Sequence, residues 1–117
     1  MNGLILHVDA PEGRRVLVHA KGELDLHASV DLYTQVQDLL ATSPTVIMDM
    51  SAVTFCDSSG FNALLRLHRR AQESGGRLVL AAPHPTVSRL LALTGSDQVF
   101  EIFRTRAEAC EAHPTGI

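Results

Sequence analysis

Residues 45–71 read TVIMDMSAVTFCDSSGFNALLRLHRRA, and the reading of this stretch decides the fold. Thr45–Met50 is short and nearly all apolar, the pattern of a strand buried on both faces. Ser51–Asp57 then leads to Asp57-Ser58-Ser59-Gly60, after which the period changes. Phe61, Leu64, Leu65 and His68 recur at helical spacing, while Arg66, Arg69, Arg70 and Glu73 fall toward water. The arginines crowd the later half of this helix, where they complement the negative end of its dipole. Gly75-Gly76 ends it.

Outward from this unit the alternation continues. On the N-terminal side, Leu4–Val8 and Arg15–Ala20 read as two strands of a hairpin, with a turn at Pro11-Glu12-Gly13. Gly22–Leu26 continues or closes the second strand. Ala28–Ala41 is helical, with Leu32, Val36, Leu39 and Leu40 on one face, and Pro44 blocks its extension. On the C-terminal side, Arg77–Ala82 is a second buried strand. Pro85 opens a helix whose apolar face is Val87, Leu90 and Leu91, and Gly95 stops it. Val99–Phe103 alternates as a strand. Thr105 and Glu108 have capping-box spacing for a last helix, and the tail from His113, with Pro114 and Gly116, is expected to fray. The predicted order is β-β-α-β-α-β-α-β-α. It describes one α/β domain over residues 1–117, its sheet mostly parallel after the first hairpin.

The chain has 117 residues, 45% of them apolar and 20% charged. That composition supports a packed core and argues against disorder. A net charge of −3 argues against non-specific nucleic-acid binding, which requires a basic face. Cys56 and Cys110 are the two cysteines. They are far apart and form no disulfide framework, so reduced thiols and a cytoplasmic setting are expected. No apolar run reaches the roughly twenty residues of a membrane span, and direct membrane insertion is not expected.

The serine pair is the first candidate for chemistry. As structure, Asp57, Ser58 or Ser59 can cap the helix by accepting hydrogen bonds from its open amides. As function, the same helix start tolerates a phosphate, so a serine there can be modified without unfolding the domain. A hydrolase elbow requires Gly-x-Ser-x-Gly, and the leading glycine is replaced here by Phe55 or Cys56. The six histidines are scattered without a His-x-x-x-His pair, so neither a metal nor another cofactor is expected. Lys21, the sole lysine, has no phosphate-loop context. His68 reads as a half-buried packing residue. Asp25, Asp49 and Asp57 can gather at one edge of the sheet, where short carboxylates serve as caps and turn acceptors.

Three blocks now carry a resemblance. Gly22-Glu23-Leu24-Asp25, then residues 45–83, then VSRLLALTGSDQVFEIFRT at 87–105 resemble a STAS domain. More narrowly, they are similar to the bacterial anti-sigma-factor antagonists, over roughly residues 4–112. The resemblance implies a mixed, mostly parallel sheet of four or five strands with about four helices. It implies a binding protein rather than an enzyme. The unphosphorylated form is expected to bind an anti-sigma factor with serine kinase activity and so to free a sigma factor. Phosphorylation of Ser59, the second serine of Asp-Ser-Ser-Gly, is expected to end that binding, and a metal-dependent serine phosphatase to restore it. Asp25, Asp57, Ser58, Ser59, Gly60 and Asn62 are the expected partner-binding residues, with Gly60 leaving room for a partner's approach. Asn62, Ser96 and Cys56 depart from the residue types usual in the family. Two other roles occur in STAS-like domains, as a scaffold in stress-signalling assemblies and as an accessory to transport systems.

Overall fold

The switch from strand to helix at Asp57 is repeated along the chain, and it sets the architecture. A computed structural model describes residues 3–9 and 15–114. The elements are β1 (Leu4–Val8), β2 (Arg15–Leu24), α1 (Leu26–Thr42), β3 (Thr45–Cys56), α2 (Ser58–Glu73), β4 (Arg77–Ala81), α3 (Pro85–Leu93), β5 (Glu101–Phe103) and α4 (Arg106–Ala112). The five strands form one sheet in the order β1-β2-β3-β4-β5. β1 runs antiparallel to β2, and all later pairs are parallel. The expected element order, mixed sheet and four helices are all present. The Pro11-Glu12-Gly13 turn and the end of the tail at Gly116 lie outside the described residues.

Alternation along the strands divides the core. Val16, Val18, Val46, Met48, Met50, Leu78 and Leu80 point to the face covered by α1, α2 and α3. Ile47, Val79 and Ala81 point to the other face, where Ala109 of α4 covers them. The central strands therefore bury both faces, which is why β3 and β4 read as unbroken apolar runs. Each fully buried Leu, Ile or Val contributes roughly 1.5–3 kcal/mol of transfer free energy, so this two-sided packing fixes β3 firmly in place.

Several boundaries differ from the sequence reading. β3 runs to Cys56, beyond Met50, because β2 also runs on to Leu24 and pairs with it. Register shifts after His19 and Gly22 accommodate the extension. α1 begins at Leu26 because Asp25 supplies its cap. On α2 the buried residues are Gly60, Ala63, Leu64, Leu67 and Ala71, whereas Phe61, Leu65 and His68 are only half-buried. The face is rotated because small residues allow the helix to lie close to the sheet. His68 meets Phe100 edge-on, with ring centroids 5.3 Å apart.

β5 begins at Glu101, later than Val99, because a short 3-10 turn at Ser96–Gln98 comes first. The carbonyl of buried Ser96 accepts from the amides of Val99 and Phe100 at 2.9 and 3.0 Å. Its hydroxyl lies 2.9 Å from that of Thr94. A polar residue is tolerated at this buried position because it is hydrogen-bonded. His113 is held in place, contrary to the expected fraying. Arg15 donates to its carbonyl at 3.0 Å, and its ring contacts the Glu101 carboxylate.

Candidate functional site

Two helix starts meet at the C-terminal edge of the sheet. Leu24 and Cys56 are paired on adjacent parallel strands, and each is followed by an aspartate that begins a helix. Asp25 accepts from the Ala28 amide at 2.9 Å, and Asp57 accepts from the Gly60 amide at 3.0 Å. Both residues are extended, the ordinary geometry of an N-cap. The Asp57 amide donates to the Leu24 carbonyl at 3.2 Å and ties the two starts together.

This arrangement settles how the cap is made. Asp57 occupies the cap and Ser58 is already the first helical residue, so neither serine performs that task. Ser58 is exposed and Ser59 half-buried. Both stand at the positive end of the α2 dipole, among the open amides of its first turn. Gly60 is buried, and its missing side chain has an internal reason. A Cβ there would come within 2.5 Å of both the Leu24 carbonyl oxygen and Leu24 Cγ. The expected room for a partner at Gly60 is filled by the protein itself.

Beside Ser59, a groove of about 230 Å³ runs between α1 and α2. Ser29, Val30 and Tyr33 line it from α1, and Ser59, exposed Asn62 and Arg66 line it from α2. The Arg66 guanidinium rests over the Tyr33 ring, 4.3 Å from its centroid. Leu26 and Val30 are 62% and 64% exposed on the first turns of α1, and Phe55 is 44% exposed near the end of β3. Exposed Val30 thus shares the groove with the neutral Ser59 hydroxyl at a helix start. The residues lining the groove include no histidine or carboxylate to take a proton from Ser59.

Burial pushes the thiol of neighbouring Cys56 up to about 11, and the Asp57 carboxylate adds to the effect. The thiol therefore stays protonated at neutral pH and is a poor nucleophile.

Asp25 and Asp57 come together as expected, but Asp49 does not join them. It lies on the α4 side of the sheet, in a row with His7 and His19 on directly paired strands. Asp9 lies 3.2 Å from His19 and 3.4 Å from His7, while Asp49 lies 3.4 Å from His19 and 3.8 Å from Arg106. In the sequence these histidines are merely scattered, with no partner at a recognisable spacing. Their shared odd-numbered register was the available signal, but it becomes meaningful only once the pairing is known. Among the described residues no group of three or more such side chains is arranged to hold a metal ion. Among the described residues no helix is long and apolar enough to cross a membrane.

Comparison with known proteins places this geometry in a family. The family model described as "STAS domain" matches residues 7–109. The anti-sigma F factor antagonist of Paenibacillus polymyxa is 26% identical over 107 residues, covering 89% of this chain and 92% of that protein. The crystal structure of an anti-sigma factor antagonist from Mycobacterium paratuberculosis superposes with a TM-score of 0.82 at 25% identity, covering 93% of this chain and 92% of that one. The Bacillus cell fate determinant SpoIIAA, in its phosphorylated form, shares the fold with a TM-score of 0.73 at 24% identity, covering 92% of this chain and 98% of that one. The chain belongs to the STAS domain family, and its relatives include anti-sigma factor antagonists.

Proposed function

We propose that this protein is an anti-sigma-factor antagonist that acts by switching partners, with Ser59 as the switch. The observation that carries this reading is the release of Ser59 from any capping duty. Asp57 makes the cap, which leaves the serine hydroxyl at the helix start beside the α1–α2 groove. Unmodified, this surface is neutral at Ser59 and carries exposed Val30 on the facing helix, with Leu26 exposed at the start of that helix, which suits the dry centre of a protein interface. A phosphate there adds a charge of about −1.5 to −2. The helix start accommodates that charge, but a partner surface packed against a hydroxyl must desolvate it and loses affinity.

The partner in this account is an anti-sigma factor that is itself a serine kinase, and a metal-dependent serine phosphatase resets the switch. Asp25, Asp57, Ser58 and Asn62 form the polar part of the docking surface. Gly60 acts from beneath by holding α2 against Leu24. The protein is a substrate and a binder rather than a catalyst.

Immobilised wild type and variants exposed to extract from the source cells test the reading. Wild type should capture the anti-sigma factor and release it when ATP is added. Ser59→Ala should capture it and keep it. Ser59→Asp should capture little, although a carboxylate carries less charge than phosphate. Equal capture by Ser59→Asp and wild type would contradict the switch.

A further inference from the structure

We propose that Arg66 is the internal counter-ion of a phosphate on Ser59, leaving the Tyr33 ring to clamp it; this rests on the reading of Ser59 as the phosphate acceptor. Ser59, Asn62 and Arg66 line the same groove at positions i, i+3 and i+7 of α2, the spacing of one helical face. Seven residues place the two α-carbons roughly 10.5 Å apart along the axis. Helical side chains lean toward the N-terminus, so a long arginine at 66 reaches back toward residue 59 and covers most of the gap to a phosphate there.

The charges agree with this geometry. Arg66 is the one charged side chain among the groove's lining residues. The ion-paired arginines among the described residues are Arg77 and Arg106, so Arg66 is not committed to a carboxylate there. Its partner is the face of the half-buried Tyr33 ring, which carries no net charge to oppose the guanidinium. Paired, charge-assisted hydrogen bonds from a guanidinium to phosphate oxygens are stronger. Phosphorylation therefore draws Arg66 off Tyr33 and back past Asn62 toward the phosphate at the helix start. The α1–α2 groove is then occupied from within, and a partner is displaced by lost space as well as by charge.

The test uses the full chain with phosphoserine installed at position 59 during translation, so no kinase is required. Phosphorus NMR then follows the second ionisation of the phosphate in wild type and in Arg66→Gln, a change at an exposed helical position. The expected result is an ionisation at lower pH in wild type, by roughly 0.5 unit or more, with Arg66→Lys in between. Coincident titrations of wild type and Arg66→Gln overturn the proposal. They do so without touching the Ser59 reading, which depends on phosphorylation in cells and fails or stands separately.

Discussion

Gly60 lies so close to Leu24 that a methyl group would come within 2.5 Å of the Leu24 backbone oxygen and Cγ. This contact holds the start of α2 against the end of β2 and sets the depth of the Ser58-Ser59 turn. Gly60→Ala gains helix propensity but forces backbone and side chain apart. The expected net effect is a destabilisation of about 1–3 kcal/mol, typical of overpacking. Urea unfolding measures it, and a variant as stable as wild type would show that the turn can move freely.

The cap on α2 belongs to Asp57, through one hydrogen bond of 3.0 Å to the Gly60 amide. Asp57→Ala should cost about 1 kcal/mol, whereas Asp57→Asn or Asp57→Ser should restore most of that loss. Ser58→Ala should be nearly neutral because Ser58 makes no cap. The same denaturation series reads all four variants. A larger loss in Ser58→Ala than in Asp57→Ala would reverse the assignment.

Asp49 gives the stability a dependence on acid. Burial raises its carboxyl pKa, but the Ser51 backbone and hydroxyl and the nearby His19 outweigh that, holding it below the ordinary 3.8. The lowered native pKa stabilises the fold fully above the unfolded value near 3.8, and that contribution disappears as pH falls through the lower native value. Asp49→Asn should therefore be less stable than wild type at pH 6, with the gap narrowing below pH 3.8. Unfolding curves at both pH values check this, and a constant gap would count against it.

The thiol of Cys56 should be slow to alkylate in the native state. Its rise from 9.0 to about 11 lowers the thiolate fraction at pH 8 by about 100-fold. Timed iodoacetamide labelling with peptide mapping should show correspondingly slow modification of Cys56, accelerating on denaturation. Rapid native labelling would mean that the thiol is neither buried nor repelled by Asp57.

Much of this was legible in the sequence because the signals were local. Leu32 and Val36 marked one helix face, Thr105 and Glu108 marked a cap, and the apolar Thr45–Met50 marked a central strand. The Asp-Ser-Ser-Gly turn was legible for the same reason. What escaped depended on pairing between distant segments. The last six residues of β3 are strand because Lys21–Leu24 lies beside them, and their own composition does not announce it. The inward role of Gly60 depends on Leu24, and the groove depends on Tyr33 lying opposite Arg66. The separation of Asp49 from Asp25 and Asp57 followed from which face of β3 it occupies, a matter of register.

The central claim is that Ser59 carries a reversible phosphate. The most direct measurement is the intact mass of the protein recovered from its own cells, before and after serine phosphatase treatment, with the modified peptide mapped. One phosphate on Ser59, removed by the phosphatase, is the predicted result. A phosphate confined to another residue, or none under any growth condition, would contradict the account and return the serine pair to a structural turn.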